Sequence, residues 1–378
     1  MNKLKVLTIL GTRPEIIRLS RVMDTLDQYC NHKIVHTGQN WDYELNEIFF
    51  ADLGVRKPDY FLGVGGGSLG QTLGAILCET ERVIAEEHPD AILILGDTNS
   101  AISAIMARRM KVPVYHMEAG NRSYDRNVPE ETNRKLVDHI SDFNLVYTEH
   151  ARRHLLSEGF PHRRIYLTGS PMQEVLSHYR SKIEKSDILG ANNLKKKEYF
   201  IVSLHREENV DDKDRLGQLM SALNGLADMY GFPILVSTHP RTRNRLEALA
   251  YQMNDIVSFA KPFGFHDYNN LQMNSFCAIS DSGTIAEEAS ILDFPAITPR
   301  DAIERPEALD VGSIIMTGVQ KDAILAGVEA VTKMHARHGE MPLPKDYGVT
   351  NTSERVVSLI LGTAKLSNGW DGIREFKN

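Results

Sequence analysis

Short runs of β-branched and aliphatic residues recur along the chain, each followed by a polar loop and then by residues with helical spacing. In the first half this pattern predicts strands near Val6–Leu10, Lys33–His36, Ala91–Leu95, Val112–Tyr115, Asn144–Tyr147 and Arg164–Leu167. In the second half it predicts them near Tyr199–Leu204, Pro233–Ser237, Ile256–Phe259, Cys277–Ser280, Pro295–Thr298 and Ser313–Met316. Alternating strands and helices specify a parallel α/β architecture, and two comparable sets specify two doubly wound halves. The Lys-, Asn- and Ser-rich stretch Ser181–Lys197 follows Thr168-Gly-Ser-Pro, which puts the hinge near residue 170.

Ligands of open parallel sheets bind at the carboxyl ends of the strands. Six loops sit at such ends: Gly11-Thr-Arg-Pro-Glu, Gly96-Asp-Thr-Asn, Met117-Glu-Ala-Gly, His205-Arg-Glu-Glu-Asn, His239-Pro-Arg and Asp281-Ser-Gly-Thr. The Asp281 loop opens a helix, where free amides and the Ser282 and Thr284 hydroxyls can hold a phosphate. Gly283 would let that backbone approach a ligand, and Glu288, one turn on, could accept from a ribose diol. The same residues also read as an ordinary helix N-cap. Arg13, with Arg18 nearby on the helix that follows, could grip diphosphate oxygens, or could sit in surface ion pairs. Asp97, Glu118 and Glu130 offer general acid and base groups, and His205 a proton carrier or hydrogen-bond donor. Each acid taken alone also fits a helix cap or turn residue, and the histidine a strand-end side chain satisfied by local hydrogen bonds.

Composition narrows the chemistry. The chain has 378 residues and a formal charge of -7, with 42% hydrophobic residues, which fits about two globular domains and argues against bulk nucleic-acid binding. Three scattered cysteines, Cys30, Cys78 and Cys277, form no disulfide or zinc pattern, and no apolar run is long enough for a membrane span. A cytoplasmic location is expected. Gly65-Gly-Gly-Ser-Leu-Gly has the spacing of a dinucleotide fingerprint but lacks a strong preceding strand and a ribose-reading acid, so a mobile glycine-rich loop is expected there. His150-Ala-Arg-Arg-His154 lacks the glutamate of a zinc protease motif, and no metal or other cofactor is expected.

Read together, Gly11-Thr-Arg-Pro-Glu, Gly96-Asp-Thr, Glu118-Ala-Gly-Asn-Arg, Pro129-Glu-Glu-Thr-Asn-Arg, His205-Arg-Glu-Glu-Asn, Asp281-Ser-Gly-Thr-Ile-Ala-Glu-Glu and Glu304-Arg-Pro-Glu resemble the non-hydrolysing UDP-N-acetylglucosamine 2-epimerase family. The pieces run in family order over essentially the whole chain. The resemblance implies two Rossmann-like domains in the GT-B arrangement, residues 1–170 and 171–355, with a helix at about 356–378 returning to the first and the active site in the interdomain cleft. It also implies a UDP-sugar substrate and a homodimer. It places the catalytic groups on Asp97, Glu118, Glu130 and His205, and substrate contacts on Arg13, Arg18, His239, Ser282, Gly283, Thr284 and Glu288.

Two segments depart from the simpler family pattern. Asn121-Arg-Ser-Tyr-Asp-Arg-Asn-Val replaces a Leu-Arg-Thr type segment, and Thr37-Gly-Gln-Asn-Trp-Asp-Tyr-Glu replaces an Ala-Gln-His-Arg type loop. These variants resemble the branch that forms UDP-N-acetyl-L-fucosamine from UDP-2-acetamido-2,6-dideoxy-L-talose for capsule or O-antigen synthesis. UDP-N-acetylglucosamine is the alternative substrate; a glycosyltransferase or a non-catalytic nucleotide-sugar-binding protein is the alternative of another class. Carbon 2 has no adjacent carbonyl, so its hydrogen needs activation. Departure of UDP from carbon 1 supplies it, leading to a 2-acetamidoglycal intermediate.

Overall fold

The computed structural model of the chain describes residues 3–38, 50–125, 128–238, 245 and 251–373. It divides into two compact units, one formed by Met1–Val175 with Asp346–Asn378 and the other by Leu176–Lys345.

The first unit holds strands β1 (Lys5–Leu10), β2 (Asn31–His36), β3 (Tyr60–Phe61), β4 (Ala91–Leu95), β5 (Val114–Met117), β6 (Phe143–Val146) and β7 (Ile165–Leu167). They pair in parallel in the order β3-β2-β1-β4-β5-β6-β7. The second unit holds β8 (Phe200–Ser203), β9 (Ile234–Ser237), β10 (Val257–Ala260), β11 (Cys277–Ser280), β12 (Ala296–Thr298) and β13 (Ile315–Met316), also parallel, in the order β10-β9-β8-β11-β12-β13. The fold is therefore α/β with two Rossmann-like sheets. In each, the order reverses beside the first strand, between β1 and β4 and between β8 and β11. That reversal opens a crevice at the strand ends.

Strands β4 and β8 read as continuous apolar runs because helices cover both faces of a parallel sheet. Each unit has its own core, with Leu7, Ile9, Ile92, Ile94 and Val114 in the first and Phe200, Val202, Leu223, Ile234 and Ile279 in the second.

Two local differences from the sequence pattern have physical causes. β5 starts after Pro113, which has no N–H for the ladder, and extends through His116 and Met117. β3 was not expected; it is two residues long and pairs only with the end of β2, too short to leave an alternating pattern. The last helix, Thr352–Trp370, packs on the first, Arg13–Tyr29, and is fastened to the first sheet by a 2.7 Å hydrogen bond between the Tyr115 and Thr363 hydroxyls.

Candidate active site

In the first unit, the loop after β1 turns at once into the helix Arg13–Tyr29, with Pro14 and Glu15 in the first turn. Glu15 is buried. Its Oε2 accepts from the Gly11 N–H at 3.0 Å and the Thr12 hydroxyl at 2.7 Å, and its Oε1 from the Thr98 hydroxyl at 3.2 Å, so one carboxyl ties the β1 and β4 loops together. Burial pushes it up to about 7, against the opposing hydrogen bonds. Arg13 lies half-buried at the first helical position. Arg18 is buried, 2.9 Å from Glu118 Oε2, with its guanidinium 5.7 Å from the centre of the Tyr147 ring.

Glu118 follows β5 with φ at +66°, a left-handed conformation that a side chain this large rarely adopts. The loop is then fixed by Gly120, whose φ is +79° and where a Cβ would lie 2.5 Å from the Ala151 carbonyl oxygen. No other residue fits there. The Glu118 carboxylate hangs over the end of β4, with Oε2 4.0 Å from where a Cβ on Gly96 would be. On the next residue, Asp97 Oδ2 accepts from Arg134 Nε at 3.0 Å and from Arg134 Nη2. Arg134 also binds Glu131 Oε2 at 2.6 Å, and Glu131 accepts from the backbone and hydroxyl of Ser123.

The adjacent acids Glu130 and Glu131 are thus sorted by the helix Pro129–Ile140. Glu131 is buried and locked, while Glu130 is half-buried and its carboxylate makes no hydrogen bond or ion pair with the described residues. The structure brings Asp97 and Glu118 to neighbouring strand ends, with Arg18 and Arg134 as their cations.

In the second unit, His205 follows β8 with its side chain about half exposed, and Nδ1 lies 3.0 Å from Asp281 Oδ1. Asp281 is fully buried after β11 and also accepts from the backbone N–H groups of His205 and Arg206 and from Asn209 Nδ2. Burial opposes its ionisation, but the charge and hydrogen bonds of His205 outweigh this and hold it below the usual carboxylate range.

The next residues, Ser282 to Thr284, lead into the helix Ile285–Leu292. The Ser282 and Thr284 hydroxyls lie 2.9 Å apart, and Arg305 donates to the Gly283 carbonyl while pairing with Glu287 at 3.0 Å. Glu288 is buried and accepts from Gln272 Nε2 at 2.8 Å. His239 lies outside the described residues.

Residue pattern alone did not single out Glu15, Glu131, Arg134, Asp281 or Arg305. Glu15 and Asp281 stand inside loops read as possible ligand loops, and Glu131, Arg134 and Arg305 inside motifs that carry the resemblance, but which side chain contacts which is set by tertiary packing. Of the segments set aside, Gly65-Gly-Gly-Ser-Leu-Gly runs into the helix Leu69–Glu87 through Ser68, its N-cap, with a reciprocal capping box to Gln71. His154 Nδ1 lies 3.0 Å from the Gly120 carbonyl oxygen. Among the described residues no group of His, Cys, Asp and Glu is placed to hold a metal, and no helix is long and apolar enough to cross a membrane.

Comparisons with known proteins bear on the family and the fold. The model of the family described as UDP-N-acetylglucosamine 2-epimerase matches residues 25–361. The UDP-N-acetylglucosamine 2-epimerase of Methanocaldococcus jannaschii is 36% identical over 94% of this chain and 99% of its own. Its crystal structure in complex with UDP-GlcNAc and UDP matches with a TM-score of 0.87. The structure of UDP-N-acetylglucosamine 2-epimerase from Rickettsia bellii is 45% identical over 99% of this chain and 100% of its own, with a TM-score of 0.93. The UDP-2,3-diacetamido-2,3-dideoxy-D-glucuronate 2-epimerase of Pseudomonas aeruginosa is 36% identical over 85% of this chain and 90% of its own.

Proposed function

From the premise that the chain belongs to the UDP-N-acetylglucosamine 2-epimerase family and is an isomerase, we propose that it inverts carbon 2 of a UDP-2-acetamido sugar by eliminating and re-adding UDP. Cleavage of the bond from carbon 1 to the diphosphate oxygen gives carbon 1 oxocarbenium character and makes the hydrogen on carbon 2 acidic. A base removes that proton to give the 2-acetamidoglycal and UDP. Reprotonation on the opposite face, with return of UDP to carbon 1, gives the epimer.

In this reading Asp97, Glu118 and Glu130 serve proton transfer and stabilise the cationic carbon. Arg13, Arg18, Ser282, Thr284 and the backbone at Gly283 bind the diphosphate, Glu288 the ribose, and His205 positions the leaving group. The observation that supports it most is the pairing of Asp97 with Arg134 and of Glu118 with Arg18 at the ends of β4 and β5. Carboxylates braced by guanidinium groups are held in place for acid and base work.

Two hexosamine assignments follow from different observations. Relatives named for UDP-N-acetylglucosamine point to the gluco and manno pair. The departure from the simpler pattern at residues 121–128 points to conversion of UDP-2-acetamido-2,6-dideoxy-L-talose to UDP-N-acetyl-L-fucosamine, the reaction of capsule or O-antigen precursors. In that segment Asn121 and Arg122 are buried, and Asn121 Nδ2 reaches Glu118 Oε1 at 3.4 Å, so the substitution lies against a proposed catalytic acid.

The test is incubation with the L-talo, L-galacto, gluco and manno UDP-sugars side by side in deuterated water. The pair that interconverts names the substrate, and deuterium is expected at carbon 2 of the product. Product without deuterium would overturn the elimination path. Stoichiometric free UDP would indicate a hydrolase or glycosyltransferase instead. We also propose a homodimer, which light scattering of the purified chain checks directly.

A further inference from the structure

Behind the two proposed catalytic loops lies a charged cluster with no place in the reaction just described. Asp138, on the helix Pro129–Ile140, is fully buried. Both of its oxygens accept from the Gly120 N–H at 3.2 Å, and Oδ2 accepts from Arg122 Nη1 at 2.7 Å. Oδ1 lies 3.0 Å from Nδ1 of His116, itself fully buried on β5. The other ring nitrogen, Nε2, lies 2.8 Å from the Gly96 carbonyl oxygen. Arg122 is held in turn by its own neighbour's carbonyl, Asn121 O at 2.7 Å, and by a two-pronged contact to Glu158 at 2.8 and 2.6 Å.

Three of these contacts, to the Gly96 carbonyl, the Gly120 N–H and the Asn121 carbonyl, land on backbone beside a proposed catalytic side chain. Gly96 precedes Asp97, and Gly120 and Asn121 close the turn that holds Glu118 in its left-handed conformation. Two acids and two bases, Asp138 and Glu158 with His116 and Arg122, meet in this cluster. Burial alone would raise the Asp138 carboxyl, but the close contact and charge of His116, together with the charge and hydrogen bond of Arg122, outweigh it and hold the carboxyl below the usual range. An ionised group with this many partners is rigid, because losing any one of them leaves a buried charge uncompensated.

We propose that Asp138 is a positioning residue that, through His116 and through the Gly120 N–H, sets the Asp97 and Glu118 loops in register with each other. It touches no substrate. The role rests on the epimerase reading above, in which these two acids act on one sugar ring. Misplacement of a catalytic group by about 1 Å costs on the order of a hundredfold in rate, so a brace of this kind governs turnover more than nucleotide affinity.

The test uses Asp138→Asn, His116→Leu, His116→Gln and Glu158→Gln in the full chain, with two readouts. The first is hydrogen exchange of backbone amides in peptides covering residues 96–98 and 118–122. Asp138→Asn is expected to speed exchange in both, whereas a response confined to 118–122 would overturn the coupling. This readout does not depend on which reaction the protein performs.

The second readout is kinetic. Asp138→Asn and His116→Leu are expected to lower kcat about tenfold to a hundredfold, to shift the pH profile of kcat, and to leave KM and UDP affinity within about threefold. His116→Gln restores a donor for the Gly96 carbonyl and should recover part of the loss. Glu158→Gln removes only the outer support of Arg122 and should lower the melting temperature while leaving kcat and its pH profile unchanged. Folded Asp138→Asn or His116→Leu protein with wild-type kcat would sink the proposal. Should Asp138→Asn fail to fold, the His116 pair decides alone. Wild-type protein that epimerises none of the four sugars, with the exchange result intact, would instead count against the proposed function.

Discussion

The two sheets share one strand order around their first strands, β3-β2-β1-β4-β5-β6 and β10-β9-β8-β11-β12-β13, but their strand ends carry different chemistry. In the first unit the loops after β1, β4 and β5 and the helix Pro129–Ile140 gather Glu15, Asp97, Glu118, Glu130, Glu131 and Asp138. Burial separates these acids into two groups. Glu15, Glu131 and Asp138 are closed over by backbone amides, hydroxyls and cations, while Asp97, Glu118 and Glu130 keep some exposure. In the second unit the buried acids Asp281, Glu287 and Glu288 are clamped likewise, and around Asp281 at the ends of β8 and β11 stand hydroxyls, amides and the guanidinium groups of Arg206 and Arg305. A carboxylate-rich shell suits proton movement, and a hydroxyl and cation shell suits a diphosphate. A shared topology thus fixes where ligands go, and local charge decides what is done to them.

The sharpest way to break this division is to remove charge from the exposed acids. Asp97→Asn, Glu118→Gln and Glu130→Gln should each lower kcat by roughly 10²- to 10⁴-fold while UDP affinity, measured by calorimetry, stays within about threefold. A variant that loses UDP binding in step with turnover would show that the two sets of groups are not separable.

Next in size is Asp281→Asn in the second unit. The buried carboxylate there accepts from two backbone amides and from Asn209, beside the His205 ring, so its loss should cost roughly 3 kcal/mol of unfolding free energy in urea. Because Asp281 is held below its ordinary value of 3.8, its contribution is present above that pH and fades as pH falls through the lower folded value. The wild-type advantage over Asp281→Asn should therefore shrink on acidification. Turnover should fall about tenfold or more, because His205 loses the group that orients it.

What the chain revealed before folding and what it concealed follow the same physical line. β1, β4, β8 and β11 were visible because strands buried on both faces must be apolar throughout, and ligand loops follow from where such strands end. Glu130 and Glu131 are adjacent and chemically alike, so nothing local indicates that Arg134 and Ser123 will lock the second and leave the first open. Asp281 was visible as part of a phosphate-loop pattern, but its contact with His205 joins residues 76 positions apart. Asp138 and His116 carried no signal, since a histidine in a strand and an aspartate late in a helix are ordinary until packing removes their water.

Glu15 offers a smaller and pH-dependent test of the first unit. Its carboxyl is raised from 4.5 to about 7, so the folded chain holds a proton that the unfolded chain has released across that interval. The stability it contributes is full below about pH 4.5 and is lost as pH rises through about 7. At 1.36 kcal/mol per unit the swing is roughly 3 kcal/mol. Glu15→Gln has no such proton to lose, so urea unfolding of the two proteins at pH 4.5 and pH 8 should show wild type losing ground by about that amount. Parallel pH dependence in both proteins would mean that Glu15 is solvated and that the β1 and β4 loops are not joined through it.

The smallest effect sought separates ligand from scaffold in the second unit. Gly283 has no left-handed φ, and a Cβ there would meet only the tips of Arg206 and Arg305 side chains, at 3.5 and 3.7 Å. Neither backbone conformation nor packing requires glycine at this position, unlike Gly120 in the first unit, where an added Cβ would collide with the Ala151 carbonyl. Gly283→Ala should therefore melt within a degree or two of wild type. If the loop backbone lies against the diphosphate, the added methyl should still weaken UDP binding about tenfold, equivalent to about 1.4 kcal/mol. Calorimetry with UDP and a melting curve on the same preparation read both quantities. Unchanged UDP affinity would move the diphosphate away from Gly283 and leave the Ser282 and Thr284 hydroxyls as no more than a helix cap.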